Sequence, residues 1–112
     1  MFASQHRLQN LTVIVDHNHQ QAFGYTREVL ASDEMDSRWE AFGWQVIPAD
    51  GHDEWALTEL LRSPSSGRPR AIVAETTFGK GVSFMEGRIE WHYLPMSDAQ
   101  YEQAMGEVGE PA

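Results

Sequence analysis

Arg70-Ala71-Ile72-Val73-Ala74-Glu75-Thr76 reads as a buried β-strand, and the class of the fold follows from it. Its apolar centre does not alternate with polar residues, so both faces are covered. A strand covered on both faces belongs in a parallel sheet, because crossover helices then lie on each side. Two upstream stretches read the same way: Leu11-Thr12-Val13-Ile14-Val15-Asp16 and Trp44-Gln45-Val46-Ile47-Pro48-Ala49. The first is rich in β-branched residues. In the second, Pro48 stands near the end, where its missing donor is tolerable.

Helical spacing fills the gaps. Over residues 33–42, Met35, Trp39 and Phe42 recur at i, i+4 and i+7, with Ser32 placed to cap. Over residues 53–62, Trp55, Ala56, Leu57, Leu60 and Leu61 form a broad apolar stripe, and Asp53 suits the positive helix start. Ser97-Asp98-Ala99-Gln100 is a capping-box pattern, followed by Tyr101, Ala104, Met105 and Val108 at helical spacing. Residues 1–8 read as the last two turns of a helix, a piece too short to be stable by itself. The resulting order, β-α-β-α-β with a final helix, predicts an α/β fold: a parallel sheet with flanking helices. We read residues 1–112 as one partial domain. The aromatic set Trp39, Phe42, Trp44 and Trp55 is expected in the core. Glu54, Glu59, Glu102 and Glu107 are expected on solvated helix faces.

Two long loops, residues 17–32 and 77–96, leave the C-terminal ends of predicted parallel strands. Ligands bind at that edge in open α/β sheets, and loops of this length in a compact domain are commonly functional.

Composition narrows the functions. The chain has 112 residues, enough to bury roughly two-thirds of its unfolded surface. Lys and Arg total 8 against 17 for Asp and Glu, a formal charge of -9. Residues 1–56 carry 3 cations and 9 anions and residues 57–112 carry 5 and 8, so neither half is basic. Nucleic-acid binding runs on clustered cations and is not expected, nor is an electrostatic membrane anchor. There is no cysteine, which removes disulfides, thiolate metal sites and cysteine nucleophiles. No apolar run is long enough to span a bilayer and no secretory signal is visible, so the expectation is a soluble cytoplasmic protein.

Three short motifs carry polar chemistry. Asp16-His17-Asn18-His19 follows the first strand. Its oxygens suit a hard cation such as Mg2+ shared with a phosphate. A zinc site on His17 and His19 is the softer alternative, and a polar turn bonded to its own backbone is the plain one. Gly79-Lys80-Gly81 follows the third strand, where two glycines allow a sharp turn or a close backbone approach. It is not a P-loop, since the upstream glycine and the Ser/Thr after Lys are missing. Trp91-His92 lies in the second long loop, where an imidazole can move a proton near neutral pH. A small metal-dependent hydrolase built on His17, His19 and His52 is a further reading, with no standard ligand spacing behind it.

Taken in order, these motifs resemble the transketolases. The resemblance runs through Leu8-Gln9-Asn10-Leu11-Thr12-Val13-Ile14-Val15-Asp16-His17-Asn18, then Gln20-Gln21, Gly24-Tyr25-Thr26 and Glu28-Val29-Leu30. It continues in Arg38-Trp39-Glu40-Ala41-Phe42-Gly43-Trp44 and Asp50-Gly51-His52-Asp53. It ends in Gly79-Lys80-Gly81-Val82-Ser83-Phe84-Met85-Glu86 and Glu90-Trp91-His92. It covers essentially the whole chain and is strongest with the C-terminal half of the N-terminal, thiamine-diphosphate-binding subunit of transketolases split into two polypeptides.

The resemblance implies a thiamine-diphosphate-binding α/β domain and a place in pentose phosphate or related carbohydrate metabolism. It implies transfer of a two-carbon ketol unit from a ketose phosphate to an aldose phosphate, with Mg2+ clamping the diphosphate. Asn18 matches the family's Mg2+-ligating Asn, and Gln20 the position whose backbone carbonyl is a further ligand. His92 matches the active-site His near the diphosphate and the reacting substrate hydroxyls. Gly79 and Gly81 match a structural turn, and Lys80 receives no role. Sugar phosphates and a pyrimidine-binding C-terminal subunit are the implied partners, in a dimer or heterotetramer.

Two departures stand out. The family's Gly-Asp-Gly motif, source of a Mg2+-binding aspartate, is absent from these residues and is expected upstream of Met1. Phe78 stands where many relatives have Lys in a Lys-Gly-Lys-Gly turn. The isolated chain is therefore expected to be inactive, and a non-catalytic remnant or interaction module is the alternative.

Overall fold

A computed structural model describes residues 1–30 and 34–109. The chain forms two compact units, Met1–Asn18 with Ala31–Thr76, and His19–Leu30 with Thr77–Ala112.

The first unit is the parallel sheet with its helices. A short helix α1 (Phe2–Gln5) precedes strand β1 (Thr12–His17). Strands β2 (Gln20–Gln21) and β3 (Gly24–Tyr25) and helix α2 (Thr26–Val29) belong to the second unit. The first unit resumes with α3 (Met35–Ala41), β4 (Gln45–Asp50), α4 (Glu54–Arg62) and β5 (Arg70–Glu75). Its three strands lie in the order β1-β5-β4, all parallel. The predicted strands each begin or end within one residue of the observed ones. The stretch with the most continuous apolar run is the central strand, and residues 70–74 are buried without a break. Pro48 lies on β4, an edge of this sheet, where a missing donor breaks no second ladder.

Ala3, Trp44 and Ala71 form the core cluster, with Leu8, Val13 and Trp39 packed around it. Trp39 meets Trp44 edge to face, with ring centroids 4.8 Å apart. Two members of the expected aromatic core are not there: Phe42 is 50% exposed and Trp55 is 77% exposed. Phe42 is the residue just past the end of α3, and Trp55 is in the first turn of α4, on its outer side. The N-terminal helix is also shorter than read. It ends before Arg7, whose φ of +48° breaks the helical path. The expected cap Ser32 and first helical residue Asp33 lie outside the described residues.

Arg70 is 4% exposed. Its guanidinium donates to the carbonyl of Leu60 at 2.6 Å, to the carbonyl and hydroxyl of Ser63, and to the hydroxyl of Thr12. Leu60 lies in the last turn of α4, where carbonyls lack helical partners. A cation there also meets the negative end of the helix dipole. Arg70 thus caps α4 from the central strand. At the other end, the side chain of Asp53 accepts from the amide of Ala56, so the residue read as a favourable charge is a true N-cap.

In the second unit, β2 and β3 form a two-stranded antiparallel hairpin. Helix α5 (Asp98–Val108) begins with the full predicted capping box between Ser97 and Gln100. Glu107, expected on a solvated face, accepts from the amide and hydroxyl of Ser83 and from the side-chain amide of Gln103. It ties α5 to the turn that follows Gly81. No helix of the described residues is long and apolar enough to cross a membrane.

Candidate functional site

The parallel register sets His17 of β1, Glu75 of β5 and Asp50 of β4 side by side at the C-terminal edge of the sheet. Asp16 and Asn18 flank His17 in sequence, and Thr76 follows Glu75. Nδ1 of His17 lies 2.5 Å from Oε1 of Glu75, which accepts its hydrogen, and the imidazole is buried. The hydroxyl of Thr76 donates to the carboxylate of Asp16. Asn18 follows directly on β1 and is half-buried. Its amide carbonyl is a neutral oxygen of the kind Mg2+ takes. Gly51 packs where no side chain fits: a Cβ there would lie 2.3 Å from Cγ2 of Thr76 and 2.9 Å from the carbonyl oxygen of Glu75.

In the second unit, Gln20 is buried at the start of β2. It pairs with Tyr25, while the flanking His19 carbonyl accepts from the amide of Thr26 at 2.8 Å. Bonded and non-bonded pairs alternate along an antiparallel ladder. Gln20 therefore holds a non-bonded position, and its own carbonyl is directed away from β3. His19 has a φ of +60°, a conformation that His adopts more readily than most residues.

The same unit carries the loop after β5. Gly79 (φ +69°) is required by close approach, since a Cβ would lie 2.8 Å from both Cβ and the carbonyl oxygen of Met85. This supports the reading of the glycine turn as structural. His92 ends a single 3-10 turn, Ile89–His92, and is exposed. Its ring stacks on Phe78, centroids 4.4 Å apart and planes 25° apart. Tyr25 of the hairpin reaches this loop through a long hydrogen bond, 3.5 Å, to the carbonyl of Gly87.

Of the three residues singled out in the sequence, Gln20 and His92 thus share one unit and Asn18 lies in the other. His52 is the part of the hydrolase reading that is not found: among the described residues it joins no group of three His, Asp or Glu ligand atoms close enough to share an ion. Two contacts escaped the sequence reading, the His17–Glu75 pair and the Phe78–His92 stack. An aromatic residue in place of an expected Lys at position 78 was the available signal for the second.

A three-stranded parallel sheet flanked by helices defines the class of the first unit: it is an α/β protein. The comparisons narrow the class. A family model described as "Transketolase, thiamine diphosphate binding domain" matches residues 1–111, and the chain belongs to this family. It is 39% identical over 107 residues to one of the subunits of the apulose-4-phosphate transketolase of Actinobacillus succinogenes, covering 95% of this chain and 39% of that one. It is 33% identical over 110 residues to 6-deoxy-6-sulfo-D-fructose transketolase subunit SqwG of a Clostridium species, covering 96% and 40%. Among solved structures, transketolase from Campylobacter jejuni superposes with a TM-score of 0.80 at 28% identity, over 96% of this chain and 17% of that one. The chain spans about two-fifths of the length of the subunit relatives.

Proposed function

We propose that this chain is part of the N-terminal, thiamine-diphosphate-binding subunit of a split transketolase. Its two units are parts of one cofactor-binding domain. It works with Mg2+ and with a pyrimidine-binding C-terminal subunit in a dimer or heterotetramer, and it transfers a two-carbon ketol unit from a ketose phosphate to an aldose phosphate. The observation that carries this reading is the family match across residues 1–111, which spans both units. The names of the relatives, each a transketolase subunit, support the need for a partner.

Thiamine diphosphate, when bound, supplies the stabilised carbanion for attack on the ketose carbonyl and takes up the electron pair as the C2–C3 bond breaks. The residues of this chain do the binding and the proton handling. The amide oxygen of Asn18 and the backbone carbonyl of Gln20 are neutral, hard donors, and both fit Mg2+. Neither adds charge, so the ion keeps its full attraction for the diphosphate. The carboxylate the ion also needs comes from the Gly-Asp-Gly motif, which the 112 residues do not contain. His92 holds or moves a proton at the substrate hydroxyls, for which an exposed imidazole at the end of a short 3-10 turn is suited.

The test is reconstitution with a pyrimidine-binding subunit, thiamine diphosphate and Mg2+. Expected are ketol transfer between sugar phosphates and cofactor-dependent protection of the β2–β3 hairpin from hydrogen exchange. Asn18→Ala should weaken Mg2+-dependent cofactor binding by about tenfold or more. Association with the partner subunit but no protection by cofactor would replace this reading with a non-catalytic interaction module.

A further inference from the structure

Two ring pairs organise the loop after β5, both within the second unit. Phe84 and Trp91 meet edge to face at 5.1 Å, and the indole N–H of Trp91 donates to the carbonyl of Phe84 at 2.8 Å. The next residue along, His92, stacks on Phe78 at 4.4 Å with 25° between the planes. Phe78 is itself pinned. Its carbonyl accepts from the amide of Gly87 at 2.9 Å, and its neighbour Gly79 is packed against Met85 without room for a side chain. The amide of Arg88 donates to the carbonyl of Met85 at 3.0 Å, which closes the turn leading to Ile89–His92.

His92 is exposed, and an exposed side chain ordinarily samples several rotamers. Here one ring face lies flat on a wall whose backbone is fixed. A flat contact at this distance fixes the imidazole plane and leaves its edge, with both nitrogens, outside the contact. A proton carrier needs its nitrogen within about 2.6–3.2 Å of the group it serves. A lysine at position 78 offers no flat wall and repels an imidazolium.

We infer that Phe78 is a positioning residue for His92, holding the imidazole plane in the orientation in which it meets the substrate hydroxyls. The inference rests on the proton-handling reading of His92 proposed above.

Nuclear magnetic resonance of the full chain, together with kinetics of its complex with the partner subunit, thiamine diphosphate and Mg2+, tests it. The ring protons of His92 should be displaced upfield by the ring current of Phe78. Phe78→Leu should abolish that displacement and Phe78→Tyr should keep it, while the amide shifts of residues 84–91 report that the loop still folds. Misplacement of a reacting group by about 1 Å costs up to a hundredfold in rate. Phe78→Leu should accordingly lower kcat about tenfold or more with KM little changed, and Phe78→Tyr should restore it. Absence of the upfield displacement in the unsubstituted protein overturns the inference, whatever the variants do. So does a Phe78→Leu kcat equal to that of the unsubstituted enzyme. If His92→Ala leaves activity intact, the proton-handling reading falls and the inference with it. The ring-current result, which needs no turnover, still tells that failure apart from the absence of the stack.

Discussion

Gly51→Ala tests how tightly the C-terminal edge of the sheet is built. The new methyl group would meet Cγ2 of Thr76 at 2.3 Å, the carbonyl oxygen of Glu75 at 2.9 Å and Cβ of Ala74 at 3.2 Å. Rotating Thr76 relieves the first contact only by breaking its hydrogen bond to the Asp16 carboxylate. The second contact is with the backbone of the central strand, which cannot move alone. The amide of Gly51 also donates to that same Glu75 carbonyl at 2.8 Å, so retreat of the chain stretches a hydrogen bond. Overpacking of this kind costs about 1–3 kcal/mol. Alanine returns about 0.4–1 kcal/mol by restricting the unfolded chain. A clash at 2.3 Å puts the cost at the upper end of its range, so the net loss is about 2 kcal/mol. At a urea slope of about 1–3 kcal/mol/M, the midpoint falls by about 1 M. Thr76→Ser removes Cγ2 and keeps the hydroxyl. In the Gly51→Ala background it should recover about 1 kcal/mol, leaving the backbone contact as the remainder. Urea titration followed by tryptophan fluorescence, with Trp44 as the buried reporter, gives all four corners of the cycle. A Gly51→Ala midpoint equal to that of the unsubstituted chain, or a coupling of zero with Thr76→Ser, would refute the steric account.

Three further outcomes follow from the packing and the charges. Arg70→Met should destabilise the first unit by about 1–3 kcal/mol in urea titration, because it strips the guanidinium from the end of α4 and leaves the Leu60 carbonyl with the Ser63 hydroxyl as its remaining donor. Trp55→Ala should change stability by less than about 0.5 kcal/mol, whereas Trp44→Ala should cost about 3–5 kcal/mol. Equal losses at the two sites would contradict the exposure of Trp55. Hydrogen bonds from the side chain of Gln103, then from the backbone and side chain of Ser83, hold the Glu107 carboxyl below the usual carboxylate range. Its folded value lies below its unfolded one, so the stabilisation is complete above the unfolded value and is lost as pH falls through the folded one. Hydrogen-exchange protection of α5 should therefore weaken at acid pH, and Glu107→Gln should flatten that dependence.

The parallel sheet was legible because its strands are short, apolar and rich in branched residues. Val13, Ile14, Val15, Ile72 and Val73 carry that signal almost alone. The faces of the helices were less legible. Trp55 and Phe42 fit the helical period, but period alone does not separate a residue turned to the sheet from one at a helix end facing water. The hairpin was not legible at all. Gln20, Gln21 and Gly24 have no strand preference, and its turn, Ala22-Phe23, lacks the Asn-Gly or Asp-Gly signature of a two-residue connection. The division into two units was hidden for a related reason: residues 19–30 interrupt the first unit and belong with residues that come after Thr76. For the candidate site, Asn18, Gln20 and His92 came from resemblance, and their surroundings came from the structure. The stack on His92 joins residues 14 positions apart across a turn that no local pattern announces.

The place of β5 in the sheet bears on how the molecule comes into being. The last strand in the chain is the middle one in space, and β1 and β4 touch only through it. Among the described residues, Thr12 finds its ladder partner in Arg70, 58 positions later. The β1–β5 and β4–β5 ladders therefore both form only once β5 is in place. Such long-range closure slows folding. Loss of β5 from the sheet would separate β1 from β4 in one step, so the three strands should open together rather than one at a time, with their amides exchanging hydrogen at a common rate.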